Sequence, residues 1–195
     1  MIAALFRDEL APSTALLWAV NLLNLISHYL ILLWTPAILH STGVSPSRAI
    51  FGPSMYGFGI ILGALLTAPV ADRWGLERVL TCTVTFGALC VLSIGLLDAR
   101  FMLLPVIICG VGMGIGGCQT GLNSLSGRIY PPAIRSTGVG GALGLGRVGT
   151  IAGPLLGGVL LALGFRAQSI FVAAAIPVFA VTVLMAILGR LRRSR

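Results

Sequence analysis

One arginine of this 195-residue chain stands inside a long apolar run. Arg147 lies in the segment GLGRVGTIAGP, and none of the five acidic residues falls within an apolar run. A charged side chain at the centre of a bilayer costs at least about 2.5 kcal/mol on insertion scales, so it faces the protein interior or a wet cavity. Four partners are open to it: a ligand carboxylate, a carboxylate on another domain, backbone carbonyls, or lipid headgroups.

Amide side chains lie in two other apolar runs. Asn21, Asn24 and His28 recur at intervals of three and four, which places them on one face of a helix. Gln119 and Asn123 are one helical turn apart in a later run. Such amides contact a polar ligand or form interhelical hydrogen bonds, each worth less than about 2 kcal/mol. Asn24, Gln119 and Asn123 are therefore candidate ligand contacts.

Three ring side chains follow in the first of these runs. His28 is a candidate proton relay because imidazole titrates near neutral pH, and the alternative is a hydrogen-bonded packing residue. Tyr29 and Trp34 each offer a ring surface with a polar tip, which suits contact with an aromatic ligand. Trp34 lies near the end of its run, where interfacial anchoring is the alternative.

Residue patterns argue against catalysis and against bound metals. No HExxH, GxSxG or Walker pattern occurs, and the acids fall in the N-terminal segment or between apolar runs. The four cysteines have no CxxC or histidine-containing ligand spacing, and they resemble small hydrophobic residues. We therefore expect no enzyme activity, no metal site and no cofactor.

Composition predicts the elements that position these residues. The chain is 57% hydrophobic and 9% charged, with a mean hydropathy of +1.03, which is typical of a membrane protein. A helix needs about 20 apolar residues to cross a bilayer. We predict an all-α bundle over residues 14–189 with tails at 1–13 and 190–195. Its six transmembrane helices are Thr14–Leu39, Ala49–Ala71, Val79–Leu97, Phe101–Leu125, Ser136–Leu163 and Gln168–Leu188.

Arginines set the predicted orientation. All 13 basic residues are arginine; nine fall on the side of the two termini, three on the opposite side, and Arg147 within a helix. Positive residues concentrate in cytoplasmic loops, so both termini are expected in the cytoplasm and the chain in the inner membrane. The net charge of +8 is spread over short loops and forms no basic patch, which argues against nucleic-acid binding.

Glycines recur at intervals of four in the fifth predicted helix. Small residues at this interval let helix backbones approach each other within lipid. The spacing predicts packing faces at Gly140, Gly144, Gly149, Gly153 and Gly157.

The segment after the second predicted helix, APVADRWGLER, resembles the signature loop of the major facilitator superfamily. Ala68 and Glu77 depart from that pattern, and the residues that match it are Asp72, Arg73, Gly75 and Arg78. The resemblance implies a gating loop in which Asp72 caps a neighbouring helix and pairs with arginines. A solvated turn that sets topology is the alternative.

Two longer runs resemble the C-terminal half of the aromatic acid:proton symporter family. They are Asn24–Pro36 and the run from Gly116 through Tyr130, Arg135 and Arg147. The resemblance implies one half of the major facilitator fold, with Arg135 in the gating machinery and protons as the coupling ion. It implies an aromatic carboxylate bound by Arg147 between two six-helix halves, with Tyr29 and Trp34 flanking the ring. The partner is then a missing N-terminal half or a second copy of the chain.

Two other interpretations stay open. The glycine pattern of the fifth predicted helix, ending in GxxxGPxxGG, resembles a motif of proton-linked drug antiporters. The absence of an acidic residue within the predicted helices also fits a truncated membrane protein that transports nothing.

Overall fold

Six long helices make up the computed structural model, which describes residues 5–6, 10–41, 50–96, 103–165 and 167–193. All six are long and apolar enough to cross a membrane, and no strand occurs among these residues. The prediction of an all-α protein with six transmembrane helices is confirmed, and the predicted ends lie within five residues of the observed ones. The helices are α1 (Leu10–Ser41), α2 (Phe51–Trp74), α3 (Leu76–Leu96), α4 (Leu104–Ile129), α5 (Arg135–Ala162) and α6 (Ala167–Arg193).

Helices α1 and α6 extend beyond their apolar parts. Helix α1 begins at Leu10, inside the predicted tail of residues 1–13, and α6 continues to Arg193, inside the predicted tail of residues 190–195. Three arginines occupy the last turn of α6, where cations interact favourably with the helix dipole. The division into tails and bundle stays a prediction, since helix ends do not locate the membrane surface.

The predicted loop between the second and third helices is reduced to one residue. Helix α2 ends at Trp74 and α3 starts at Leu76. Gly75 between them has φ +87° and donates its backbone N–H to Ala71 O at 3.0 Å. Asp72 and Arg73 consequently lie in the last turn of α2, because a single glycine with a positive φ is enough to turn the chain.

Helix α1 packs mainly against α5 and α6, while α2 and α3 enclose α4. Three glycines hold α5 close to α1. A Cβ on Gly149 would lie 2.7 Å from Leu22 O, and one on Gly153 would lie 2.5 Å from Ile26 O. Gly157 lies against the Trp34 ring in the same way. The predicted packing role is confirmed for these three glycines.

Within the described part of the chain, the two earlier glycines of α5 do not pack against another helix. Cβ atoms added to Gly140 or Gly144 would meet no described atom within 4 Å. The packing prediction is therefore wrong for this pair in the described bundle. A spacing of four puts residues on a common helix face, but it does not decide which of two such faces meets a neighbour.

A π-helical turn, Gly112–Gly116, interrupts α4 where α2 and α3 approach it. The backbone of Gly112 lies against Tyr56 O, and that of Gly114 lies against the backbone of Gly87. Side chains at these glycines would collide with the backbone, so their absence allows α4 to lie between its neighbours. π-turns within helices frequently occur at functional sites.

Candidate functional site

An amide network joins α1 to α4 just beyond the π-turn. Asn24, only 1% exposed, donates from Nδ2 to Gln119 Oε1 at 2.8 Å and to Ile115 O at 3.3 Å. Gln119 Nε2 in turn donates to Asn21 Oδ1 at 3.1 Å, and Asn21 Nδ2 donates to Leu17 O at 3.1 Å. Since backbone carbonyls accept at both ends, the amide orientations are determined along the whole chain of hydrogen bonds.

The network extends to an open face of the bundle. Gln119 Nε2 lies 3.5 Å from Oδ1 of the exposed Asn123. Within the described residues, the buried Oδ1 of Asn24 accepts no hydrogen bond. The structure thus brings together the predicted site residues Asn24, Gln119 and Asn123, and it adds Asn21, which the sequence had placed on the same helix face.

His28 connects α1 to α2. Its Nδ1 lies 3.0 Å from the hydroxyl of Tyr56, and the two rings are 5.3 Å apart. Tyr29 is beside it on α1, with its ring centroid 5.1 Å from that of His28. Tyr56 is fully buried. Sequence reasoning missed Tyr56; the available signal was a tyrosine at helical spacing with the glycines Gly52, Gly59 and Gly63.

Trp34 lies in the contact between α1 and α5. Its Nε1 donates to Pro154 O at 3.2 Å, and its ring lies against Gly157. The side chain is partly buried by this contact. Trp34 therefore has a packing role in the bundle, and its predicted contact with an aromatic ligand stays a prediction.

Arg147 is exposed on α5. The preceding residue, Gly146, faces Leu25 and Asn21 of α1, so Arg147 lies at about the same membrane depth as the amide network. Successive helix residues are about 100° apart, which turns Arg147 away from the face that contacts α1. No hydrogen bond or ion pair engages its guanidinium within the described part of the chain. The structure does not place Arg147 in contact with the amides.

A pocket of about 220 Å³ lies between α2 and α4, near the end of the bundle at which α2 and α6 finish. Asp72, Thr67, Ser124 and Arg128 are among its lining residues. Sequence reasoning selected Asp72 but missed Arg128, which belongs to the last turn of α4. A carboxylate and a guanidinium thus share this pocket.

The other arginines assigned to the gating machinery do not line this pocket. Arg135 donates from Nε to Tyr130 O at 3.2 Å, and the Tyr130 ring lies against Gly138. Arg135 thereby closes the turn that leads into α5. Arg73 and Arg78 are exposed.

Glu77, which departs from the signature pattern, has an ionic partner. Its carboxylate pairs with Arg192 at 2.5 Å and so links the start of α3 to the end of α6. Among the described residues, no group of three or more histidine, cysteine or acidic side chains could hold a metal ion.

Six spanning helices with a polar face that the bundle leaves open define a multi-pass α-helical membrane protein. Residues 17–195 match the family model of the Major Facilitator Superfamily, and the chain belongs to that family. Among curated proteins, it is 34% identical to the gallate transporter of Pseudomonas putida over 90% of this chain and 39% of that protein.

Other relatives also have names that refer to aromatic acids. The chain is 30% identical to the 4-hydroxybenzoate transporter PcaK of Pseudomonas aeruginosa, over 91% of this chain and 40% of that one. It is 32% identical to the 3-(3-hydroxy-phenyl)propionate transporter of Escherichia coli, over 100% of this chain and 48% of that one. The chain spans less than half the length of each of these relatives.

A solved structure shows the same fold. The crystal structure of the peptide transporter POT in complex with sulfate superimposes with a TM-score of 0.72 at 19% identity. The match covers 89% of this chain and 37% of the peptide transporter. The described bundle is thus a six-helix half of the major facilitator fold.

Proposed function

We propose that this chain forms the C-terminal half of a proton-coupled transporter that takes up an aromatic carboxylic acid of the benzoate or hydroxybenzoate type. The observation that carries the proposal is the exposed Arg147 at the depth of a polar amide network, on a face that the six helices leave open. The names of the relatives support the same substrate class.

Charge supports a carboxylate as the ligand of Arg147. Its guanidinium has no described acidic partner, and an unpaired cation at this depth is costly. A planar guanidinium matches a carboxylate with two parallel hydrogen bonds. The amides of Gln119 and Asn123 would then meet polar groups elsewhere on the ring.

The contact between His28 and Tyr56 is the proposed site of proton coupling. His28 and Tyr56 share a hydrogen bond between α1 and α2, and both groups can exchange a proton. Protonation of His28 would turn Nδ1 into an obligatory donor and alter this contact between two helices. The contact between His28 and Tyr56 would then respond to protonation, and Arg147 would bind the substrate carboxylate.

A second bundle would cover the open face. Arg147, Asn123 and many apolar residues of α5 are exposed in the six-helix bundle. We propose that an N-terminal six-helix half covers this face, or a second copy of the chain in its place. Both termini then lie in the cytoplasm and the bundle in the inner membrane, as the arginine distribution predicts.

The test is uptake by vesicles that contain this chain together with the N-terminal half of the Pseudomonas putida gallate transporter. Radiolabelled 4-hydroxybenzoate and gallate are offered with an outside-acid pH gradient. We expect uptake that saturates and that collapses with the gradient. Arg147→Ala is expected to abolish it, and Arg147→Lys to retain part of it, since charge survives without the bidentate geometry.

Arg190→Ala is the matched control, since it removes an exposed arginine from α6. Uptake by this control should equal that of the parent chain. Competition with benzamide, an uncharged analogue, tests the carboxylate directly. Equal uptake by the Arg147→Ala variant, or equal competition by benzamide and benzoate, would refute the proposed role of Arg147.

A further inference from the structure

A second cavity lies next to the pocket that contains Asp72, on the neighbouring face of α2, and Thr67 borders both. It is a groove of about 280 Å³ between α2 and α3, and we call it the α2–α3 groove. Its wall is almost entirely apolar. Its lining includes Leu66, Val70 and Trp74 of α2, Cys82 and Phe86 of α3, and Met113 of α4.

The length of the groove along α2 is close to the thickness of one membrane leaflet. On α2 its lining runs from Gly63 to Trp74, next to the end of the helix. At about 1.5 Å of rise per residue, this stretch is about 16 Å long, close to half of the roughly 30 Å hydrocarbon thickness. An acyl chain that enters at Trp74 and reaches Met113 would lie within a single leaflet.

Two arginines stand at the mouth of the groove. Arg73 follows the lining residue Val70 by three positions, and Arg78 precedes the lining residue Cys82 by four. Residues at these spacings share a helix face, and both arginines are exposed. Helix geometry therefore places both arginines beside the groove, at the level of Trp74.

The two neighbouring acids do not neutralise this mouth. Asp72 lines the neighbouring pocket between α2 and α4 and is two positions from both Val70 and Trp74, so it leaves α2 about 160° around the axis from these groove residues. Glu77 is paired with Arg192 of α6. The charge at the mouth is thus positive, with an apolar cleft directly behind it. Basic pockets between membrane helices bind anionic headgroups.

We propose that the α2–α3 groove binds one anionic phospholipid, with an acyl chain along Leu66, Val70 and Phe86 and the headgroup phosphate between Arg73 and Arg78. Trp74 marks the level of the interface, where amphipathic rings are enriched. This site is separate from the face that carries Arg147, and the proposal does not depend on transport activity.

Native mass spectrometry of the purified chain in detergent measures the binding. The chain is titrated with phosphatidylglycerol and with phosphatidylcholine that has identical acyl chains. We expect one tightly held phosphatidylglycerol and no comparable phosphatidylcholine. Arg73→Ala and Arg78→Ala should each weaken the phosphatidylglycerol affinity about fivefold, as expected for one basic contact with an anionic lipid.

Two further variants distinguish lipid binding in the groove from nonspecific attraction of anionic lipid to a positively charged protein. Arg193→Ala removes an exposed arginine from the end of α6, outside the groove, and should leave the affinity unchanged. Cys82→Trp keeps both arginines but fills the groove, and it should abolish tight binding. Thermal unfolding of each variant checks that it remains folded.

Labelling of Cys82 with N-ethylmaleimide gives an independent readout, because Cys82 is exposed and lines the groove. Phosphatidylglycerol should slow its labelling in the parent chain but not in an Arg73→Ala/Arg78→Ala variant. The proposal is overturned if the two lipids bind equally, or if Arg193→Ala weakens binding as much as the groove variants do. It is also overturned if an N-terminal half protects Cys82 and displaces the lipid, since the groove then belongs to a protein interface.

Discussion

The side-chain amide of Asn24 donates to Gln119 Oε1 across 2.8 Å and thereby joins α1 to α4 inside the bundle. The same Asn24 nitrogen reaches Ile115 O in the π-helical turn. A π-turn displaces the residues that follow it around the helix axis. The π-turn and the amide network therefore belong to one structural unit, and its outer end is the candidate ligand face.

Gln119→Ala should destabilise the bundle, because it removes the acceptor of Asn24 and the donor to Asn21. Interhelical hydrogen bonds in membranes average about 0.6 kcal/mol, so we expect a loss of about 1 kcal/mol for the two. Reversible unfolding in mixed micelles measures it. Ser124→Ala, at an exposed position of the same helix, should change stability little. Equal stability of the two variants would contradict the role of the network.

Gly153→Ala and Gly144→Ala are the same substitution on two faces of α5. At Gly153 the new Cβ would lie 2.5 Å from Ile26 O, and a backbone carbonyl cannot move aside cheaply. We expect a loss of about 1–3 kcal/mol, as for other overpacked sites. At Gly144 nothing described lies within 4 Å, so alanine should be neutral or stabilising by up to about 1 kcal/mol.

Thermal unfolding of these two variants separates the two faces of α5. If Gly144→Ala destabilises the chain as much as Gly153→Ala does, the assignment of the packing face is wrong. If Gly144→Ala lowers the unfolding temperature only when an N-terminal half is bound, the face of α5 that carries Gly144 contacts that half.

Gly75→Ala should cost about 1–3 kcal/mol although the site is spacious. A Cβ there meets no described atom, but φ +87° with ψ 136° is a conformation that side chains strongly disfavour. Gly57→Ala, also without neighbours within 4 Å but inside α2, should be neutral or stabilising. Chemical denaturation of both variants measures the difference. A Gly75→Ala chain as stable as the Gly57→Ala chain would show that the turn tolerates another conformation.

Glu77→Arg should lower stability modestly by placing two arginines together at the ends of α3 and α6. Partly exposed ion pairs contribute about 0.2–1 kcal/mol. The exchange Glu77→Arg/Arg192→Glu should restore most of the loss, and 1 M salt should reduce the difference between the variants, since it screens charges. Melting temperatures at low and high salt measure this. If the exchanged pair is no more stable than Glu77→Arg alone, the ion pair contributes nothing.

The candidate site residues were selected by residue type and helical spacing, and the structure brings three of them, Asn24, Gln119 and Asn123, together. Helical periodicity brings polar residues of one run onto one face, and such residues in lipid require partners. Asn21 had been placed on the helix face of Asn24, but only the structure adds it to the network. Arg147 was selected because a lone cation in an apolar run is costly, and its contact with a ligand stays a prediction. Gly75 stood out through a motif, and its positive φ supplies the physical reason for a glycine there.

Side-chain contacts between different helices could not be predicted from the sequence. Nothing in the spacing indicated that His28 would meet Tyr56, that Trp34 would donate to Pro154 O, or that Glu77 would pair with Arg192. These contacts depend on the rotation of one helix relative to another, which is set by the sum of all contacts along both.

The sequence by itself determined the number, length and amphipathic faces of the helices, because bilayer thickness and backbone hydrogen bonding leave few other solutions. Only the tertiary structure decided which face meets which neighbour. It placed Gly149 and Gly153 against α1 while Gly140 and Gly144 stayed open, and it left Arg147 on an uncovered surface. Both glycine sets have the same spacing, so the choice between them required the packing of the whole bundle.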